Sequence, residues 1–557
     1  MARYVIVGGV AGGASTAARL RRLTEHDEIV LLERGNYVSF ANCGLPYYIG
    51  GTIQERSSLL VQTPEALRSR FNIDVRINSN VTKVNRDRKT VTVDNNGEVY
   101  ELEYDKLVLS PGSSPVRPRI KGAESENVFT VWTIPDTDKI ASYLKSHKCN
   151  SAVVVGGGFI GIEMAENLRE IGLDVTIVEM LDQVMNNLDF EMAQFVHMEL
   201  NAKGVHLVLG KGVTEIAACD NASDCACVVK VDDGQEIPAD IVIMSVGVRP
   251  NSELAKDAGL EIGARGHIVV DDTLRTSDPD IYAVGDAIEV VDFVTKEKTA
   301  VPLAGPANKQ GRIAADNIMG LGSRYTGTQG TSIAKVFDKA VASTGISEKR
   351  LLTAGKKLHE DYEIVYIHPM NHAGYYPGSS MIHLKVLFKP ETGKILGAQA
   401  VGESGTDKRI DVIATCMRLG ATTADLQDLE LAYAPPFNTA KDPVNFAGYV
   451  AENIRKGIVK PIHWREIDSL DRDKYQIVDV RTVAENAAGS VEGSTLAPVD
   501  NLREMISSVD NDKTAVLICR SAVRSYIAAR ILTQNGYKAQ NVMGGWLIHE
   551  ALNYKPL

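Results

Sequence analysis

Three observations predict an α/β protein with two doubly wound nucleotide-binding units, followed by an α+β segment and a further short α/β unit. Strands alternate with helical stretches from the first residue. The order apolar strand, glycine turn, helix, second strand occurs twice, first at RYVIVGG, ASTAARLRRL and DEIVLLER, then at SAVVVGGGFIGIEMAENLREIGLDVTIVEM, so two nucleotides are expected to bind. From about residue 321 to 450 the pattern changes to strands such as MIHLKVLFK and helices such as DKRIDVIATCMRLG. After AENIRKGIVKP a fresh α/β unit begins near Ile467 and, at about 90 residues, is long enough to fold alone.

Size and composition agree with this division. A chain of 557 residues exceeds one core, and roughly three to four domains are expected. The hydrophobic fraction of 44% and charged fraction of 24% are those of a globular protein. A net charge of −11 argues against a general nucleic-acid binder, which needs a basic face. No apolar run approaches the roughly 18 residues of a membrane span. The apolar start MARYVIVGGVAGGAS enters a glycine loop without a cleavage site, so it reads as a buried strand, and a cytoplasmic protein is expected. Seven cysteines are too few for a disulfide scaffold. Cys219, Cys225 and Cys227, in CDNASDCAC, have no histidine or second ligand pair nearby. They read as incidental thiols of a surface turn, and no metal site is expected. Cys149 and Cys416 look ordinary; Cys43 and Cys519 have contexts that carry chemistry.

The second glycine loop is the more regular. Gly156, Gly158 and Gly161 stand in GxGxxG spacing directly after SAVVV, with Phe159, Ile160 and Glu163 opening the helix. Glycines there permit a tight turn, close approach of backbone to a pyrophosphate, and helix–strand contact, while the helix N-terminus favours the anion. Glu179 ends the next strand, where a carboxylate accepts from a ribose 2′-hydroxyl and repels a 2′-phosphate, so NADH is expected over NADPH. The first loop, Gly8-Gly9-Val10-Ala11-Gly12-Gly13, has Val10 where the middle glycine belongs; Glu33, followed by Arg34, ends its second strand. A distant segment, RTSDPDIYAVGDA, supports it by carrying an apolar strand to Gly285 and Asp286. Asp286 reads as a helix cap, and by resemblance to two-dinucleotide flavoproteins, where a carboxylate at such a turn accepts from the flavin ribityl chain, it would also hold a flavin; both roles can coexist.

With the paired loops, SPGSSP (Ser110, Gly112), SVGVRPN (Gly247) and YAVGDA, the chain resembles the pyridine nucleotide–disulfide oxidoreductase family over about 450 residues. The resemblance implies an FAD domain at 1–113 and 240–320, an inserted NADH domain at 114–239, and a dimerisation domain at 321–450. A linker at 451–465 would precede the last domain. SFANCGLPYYIGG, 39–51, lies where this family places its redox centre. Many members carry a CxxxxC pair there; here Tyr48 stands five after Cys43, so a single thiol must cycle through a mixed disulfide, persulfide or sulfenic acid. Its activation requires a lowered pKa from neighbouring donors and the flavin environment.

SFANCGLPY is similar to the corresponding segment of coenzyme A-disulfide reductases and their persulfide-reducing relatives. That resemblance implies coenzyme A contacts from Ser15, Arg19, Arg22, Ser39, Asn42, Arg70, Asn308 and Lys441. Arginines three apart on one helix, as Arg19 and Arg22 are, suit phosphates. Asn42 would also touch flavin, as would Pro302, Leu303 and Ala304 in VPLAGPANKQGR. YAPPFNTAKDP, 433–443, resembles a loop that reaches into the partner's active site, so a homodimer is implied, with Tyr433 orienting or protonating sulfur.

IVDVRTVAENAAGSVEGS, AVLICRSAVRSYIAARIL and VMGGW resemble a rhodanese domain, 466–557. Cys519 opens the loop Arg520-Ser521-Ala522-Val523-Arg524-Ser525 before a helix, a nest of backbone N–H groups suited to a persulfide. Ser490 stands where the family usually has histidine, and Ala522 where it usually has glycine. The expected function is FAD- and NADH-dependent reduction of coenzyme A persulfide, polysulfide or coenzyme A disulfide through Cys43, with Cys519 handling sulfane sulfur. The alternative is an NADH oxidase or peroxidase cycling Cys43 through sulfenic acid; cations placed for phosphates at Arg19, Arg22 and Lys441 weigh against it.

Overall fold

The computed structural model describes residues 1–219 and 225–556, and the chain divides into two compact units. One comprises Met1–Asp182 and Val208–Gly330; the other comprises Gln183–Leu207 and the chain from Thr331 onward.

In the first unit the strand Arg3–Val7, apolar at its centre, lies between Glu28–Leu32 and Lys106–Leu109, with Asp74–Arg76 and Ile281–Ala283 at the edges, all parallel. The register sets Val7 opposite Leu32 and Leu109. The loops leaving these strands therefore emerge together at the carboxyl edge, where open α/β sheets bind ligands. Helix Ala11–Leu23 packs on helix Ala304–Ile318 closely enough that a Cβ on Gly311 would stand 2.5 Å from the Gly12 carbonyl oxygen. The second nucleotide domain repeats the plan. Asp174–Glu179, Ser151–Val155, Ile241–Met244 and Val128–Phe129 pair in parallel, in that order. Ser113–Pro115 and Val248–Pro250, paired antiparallel, carry the chain out of the first domain and back.

The second unit holds an antiparallel sheet, Ser332–Val336, Lys339–Gly345, Ile395–Gly402, Ile382–Phe388 and Glu363–Ile367 in order. It also holds a parallel sheet, Pro461–Ile462, Lys538–Val542, Thr514–Ile518, Tyr475–Asp479 and Thr495–Leu496 in order. The two sheets are joined through side chains. His368 approaches the Gly544 carbonyl to 3.0 Å, and Arg465 Nη2 lies 2.5 Å from Glu348.

Helix Phe190–Ala202, expected within the NADH domain, runs in the chain between strands Asp174–Glu179 and Val205–Leu209 of the second nucleotide-domain sheet, while its contacts group it with the second unit. There Phe195 stacks on His383 at 3.7 Å, and Glu191 accepts from Tyr366 and Lys385. Glu191 is buried against the Lys385 charge, and Glu199 accepts the Asp338 N–H at 3.2 Å. Residues 451–465, expected as a linker, contain the end of helix Pro443–Arg455, the strand Pro461–Ile462 and the start of helix Trp464–Ile467. Trp464 donates its indole N–H to Gly545 at 2.7 Å and is buried by doing so.

The three clustered cysteines are also corrected. Cys219 and Cys225 form a disulfide, and Cys227 lies buried in strand Cys227–Val231 with its Sγ 3.4 Å from the Ala239 carbonyl. Residues 220–224, where the sequence reading places a surface turn, lie outside the described residues. Among the described residues no helix is long and apolar enough to cross a membrane.

Candidate active site

The first glycine loop is shaped by close approaches. Gly8 has φ +97°, and a Cβ there would stand 2.0 Å from the Ser110 carbonyl; one on Gly13 would stand 1.8 Å from Gly8's own carbonyl. A Cβ on Gly12 would meet Val284 at 2.9 Å. Val10 caps helix Ala11–Leu23, so the loop ends on a helix N-terminus. Glu33 accepts the Gly9 N–H and the Gly35 N–H, both at 2.8 Å. Arg34 follows it off the strand. Across the sheet edge, the Val284 N–H bonds the Leu109 carbonyl at 3.0 Å, which carries Gly285 and Asp286 beside this loop. Asp286 accepts from Ser113 Oγ at 2.7 Å, and burial pushes its carboxyl up. By contrast, nothing lies within 4 Å of where a Cβ would project from Gly112, Gly158 or Gly247. These glycines leave open space, as a bound dinucleotide requires.

The second loop repeats the arrangement. A Cβ on Gly156 would stand 2.5 Å from Ser245's carbonyl, and one on Gly161 1.9 Å from Gly156's. Gly158 caps helix Phe159–Glu170, which carries Ile160 in its first turn and Glu163 just beyond it. Glu179 accepts from Gly157 N–H at 2.7 Å and Leu181 N–H at 2.9 Å. The residues for a flavin and a nicotinamide nucleotide thus fit in spacing, open space and carboxylate placement.

Cys43 lies in the short turn Asn42–Gly44, exposed, ahead of helix Leu45–Ile49. Ser39 holds a left-handed φ of +46° and donates its N–H to Gly9 at 2.7 Å, which anchors the redox segment to the first glycine loop. Sequence reasoning missed Trp132. Its carbonyl accepts from the Asn42 amide at 3.4 Å, and its indole N–H donates at 3.0 Å to Ser113, the residue that also bonds Asp286. Although the residue is exposed, desolvation by the groups packed around it pushes the Cys43 thiol up, and the Glu163 and Asp286 charges add to this. The lowering expected from the sequence is not supplied by the protein groups around the thiol. Helix Leu45–Ile49, which carries Tyr47, also missed, packs against helix Phe159–Glu170, where burial and the Glu166 charge push Glu163 up to about 7.

The expected coenzyme A contacts divide. Ser15 donates to Asn308 across the two packed helices. Arg19 is held by Asp316 at 2.7 Å and is largely buried, so it ties the helices together. The exposed Arg22 guanidinium lies 5.4 Å above the Phe71 ring, and Arg70 is exposed on helix Pro64–Phe71. Pro302 and Leu303 precede helix Ala304–Ile318, with Leu303 as its cap. In the second unit Tyr433 is half-exposed, its hydroxyl 3.2 Å from that of Tyr375, and Lys441 is exposed.

Cys519 is fully buried at the end of strand Thr514–Ile518, and Ser525 Oγ lies 3.2 Å from its sulfur. Ala522 adopts φ +68°, so the loop keeps the glycine-like shape despite its Cβ, at a cost of about 1–2 kcal/mol. The loop is held from below. Cys519 and Arg520 carbonyls accept from Trp546 and Leu547 N–H at 2.8 and 3.0 Å, and a Cβ on Gly545 would collide with three loop atoms at 2.5–2.7 Å. Arg520 and Val523 face outward, while Ser521 is half-buried. Arg524 is clamped by Glu485 at 2.6 and 2.7 Å, which holds that carboxyl at about 2. Ser490 is exposed.

Comparison with known proteins matches residues 2–311 to the pyridine nucleotide-disulphide oxidoreductase model, 331–443 to its dimerisation domain and 467–547 to the rhodanese-like domain. The coenzyme A disulfide reductase of Staphylococcus haemolyticus is 36% identical over 457 residues, covering 82% of this chain and 100% of that protein. Among solved structures, the reduced CoADR-RHD of Bacillus anthracis is 49% identical with a TM-score of 0.95, covering 99% of this chain and 98% of that one. A NAD-dependent persulfide reductase from A. fulgidus is 38% identical with a TM-score of 0.90, covering 98% and 99%.

Proposed function

Because the chain belongs to the pyridine nucleotide-disulphide oxidoreductase family, we propose that it reduces coenzyme A persulfide, polysulfide or coenzyme A disulfide at the single thiol Cys43. The observation that carries this is the set of hydrogen bonds linking Asn42 to Trp132, Trp132 to Ser113 and Ser113 to Asp286, which joins the neighbour of an unpaired cysteine to the carboxylate that would face the flavin. Bound FAD would supply an electron pair taken from NADH. Attack of the Cys43 thiolate on the outer sulfur of coenzyme A persulfide gives a Cys43 persulfide and releases coenzyme A. Two-electron reduction then releases hydrosulfide and restores the thiolate. Attack on the inner sulfur breaks the same S–S bond, expels hydrosulfide and gives a Cys43–coenzyme A mixed disulfide, which two-electron reduction splits into coenzyme A and the thiolate.

The exposed Arg22, Arg70 and Lys441 suit the nucleotide phosphates. Cys519, with Ser525 Oγ beside its sulfur, would take sulfane sulfur from a donor and pass it to coenzyme A or to Cys43, with the loop N–H groups expected to cradle the persulfide. Tyr433 would come from the partner subunit of a homodimer, which the matched dimerisation domain supports. The rhodanese-like domain and the persulfide reductase relative favour a sulfur acceptor over oxygen or peroxide. The test is Cys43→Ser: NADH-dependent hydrosulfide release should disappear while NADH still reduces the bound flavin. Retained sulfur reduction would contradict the reading.

A further inference from the structure

We propose that His359, His463 and Glu466 form a binding site for a divalent transition metal ion, zinc above all, with Glu363 as the carboxylate that orients both imidazoles. All four residues lie in the second unit. His359 lies in the turn before strand Glu363–Ile367, where it holds a left-handed φ of +67° and donates its N–H to the Tyr362 carbonyl at 2.8 Å. His463 caps helix Trp464–Ile467, and its N–H donates to Glu466 Oε2 at 2.8 Å. The two imidazole centroids are 5.6 Å apart. One ligand atom each from His359, His463 and Glu466 can be chosen so that all lie within 4.8 Å of one another.

Glu363 takes one nitrogen from each ring. Its Oε2 lies 2.7 Å from His359 Nδ1, and its Oε1 lies 2.9 Å from His463 Nε2. The carboxylate is buried, so each ring is held with one N–H spent on it. Metal-ligating histidines ordinarily have such an outer carboxylate, because it fixes the tautomer and makes the opposite nitrogen more basic. The nitrogens left over are His359 Nε2 and His463 Nδ1. His359 Nε2 stands 3.2 and 3.3 Å from the two Glu466 oxygens. Two ligand atoms on one tetrahedral zinc stand about 3.3–3.4 Å apart, so this pair already has the spacing of a shared ion. His463 Nδ1 is buried and has no hydrogen-bond partner among the described residues, which leaves its lone pair for a metal. A buried polar atom left unpaired is costly, and coordination removes that cost.

The donor set selects the class of ion. Two imidazoles and a carboxylate suit zinc and its neighbours better than magnesium or calcium, which prefer oxygen ligands. Two carboxylates facing neutral imidazoles leave two negative charges, which a dication balances. In the metal-free protein His359 donates from both ring nitrogens, to Glu363 and to Glu466, and so carries a proton that the ion displaces. The neighbouring cation is engaged elsewhere: Arg465 Nη2 lies 2.5 Å from Glu348 and 3.3 Å from the Tyr362 hydroxyl. The His359 and Glu466 side chains are 37% and 33% exposed, which gives the ion a way in and leaves the fourth position to water. A bound ion fastens strand Glu363–Ile367 to helix Trp464–Ile467, whose Trp464 donates to the Gly545 carbonyl beneath the Cys519 loop. Metal binding here does not depend on which acceptor Cys43 reduces.

The test uses the full-length holoenzyme, stripped of metal and titrated with zinc against a chromogenic chelator, beside H359Q, E466Q and E363Q. One zinc per chain should bind the parent protein. Loss of a ligand in H359Q or E466Q should weaken binding by more than about a hundredfold, and loss of the outer carboxylate in E363Q by about 10–100-fold. Thiols also take up zinc, so zinc K-edge X-ray absorption of the one-zinc parent protein reads the ligands without any variant. Nitrogen and oxygen at about 2.0–2.1 Å are expected, with no sulfur at about 2.3 Å. Zinc should raise the melting temperature of the parent and leave that of E466Q unchanged. Flavin content and flavin reduction by NADH should be the same in all four proteins. Absence of zinc binding, sulfur among the ligands, or an affinity in H359Q and E466Q within about twofold of the parent overturns the proposal and leaves the cluster as an ion-paired seam.

Discussion

Replacing Lys385 by methionine should destabilise the second unit by about 3–5 kcal/mol at pH 7, the range for removing one partner of a buried ionic cluster. The Lys385 ammonium is fully buried, with Asp189, Glu191 and Glu348 oxygens at 2.9, 2.5 and 2.8 Å. Methionine fills a similar volume, so the loss measures charge rather than a cavity. It would leave three buried carboxylates facing one remaining cation, Arg465, which contacts only Glu348 among them. Burial pushes Glu348 up, and the Lys385 and Arg465 charges outweigh it, holding the carboxyl at about 2. A depressed carboxyl stabilises the fold above its unfolded value near 4.5 and loses that contribution as pH falls toward 2. In the variant the carboxyls rise and take up protons, so the deficit should shrink as pH falls from 7 to 5. Urea unfolding followed by tryptophan fluorescence suits the purpose, because Trp464 and Trp546 lie in this unit and Trp132 in the other. A deficit below about 1 kcal/mol, or one that does not shrink on acidification, would refute the electrostatic argument.

Further outcomes follow from individual contacts. Gly545→Ala should abolish sulfur transfer by Cys519 while leaving NADH-dependent flavin reduction unchanged, because its Cβ would strike Cys519, Arg520 and Ala522; a thiosulfate sulfurtransferase assay checks this. Arg22→Ala should raise KM for coenzyme A persulfide with kcat nearly constant. Arg19→Ala should instead lower the melting temperature, since it strands the nearly buried Asp316. Hydrogen bonds to Glu363 and Glu466 hold His359 up at about 9. A raised histidine stabilises the fold below its unfolded value near 6.5 and loses that contribution as pH rises through 9. The stability of the second unit should therefore fall between pH 6.5 and 9, and His359→Gln should flatten that slope in thermal melts.

The two glycine loops were legible because their constraint is local. Where a Cβ would come within about 2 Å of a carbonyl only glycine fits, and Gly8, Gly13, Gly156 and Gly161 announce that in their spacing. Glu33 and Glu179 were legible as strand-end acids for the same reason, although their bonds to their own loops were not. Contacts that join distant segments stayed hidden. Arg19 looked like a phosphate ligand because its partner Asp316 lies 297 residues away. Trp132 gave no sign of its place because its partners, Asn42 and Ser113, come from other segments of the chain. Nothing in the sequence of helix Phe190–Ala202 reveals that Glu191 meets Lys385, 194 residues on. Ala522 shows the converse: a departure from the family's usual glycine left the loop in its left-handed turn, so composition alone overstated the change.

The central claim is that Cys43 reduces sulfur rather than oxygen. Anaerobic stopped-flow oxidation of NADH-reduced enzyme, with coenzyme A persulfide, coenzyme A disulfide, polysulfide and hydrogen peroxide in parallel and hydrosulfide quantified, tests it most directly. The account predicts fast flavin reoxidation by coenzyme A persulfide with one hydrosulfide released per flavin, lost in Cys43→Ser. Slow reaction with every sulfur acceptor and rapid turnover with peroxide would contradict it.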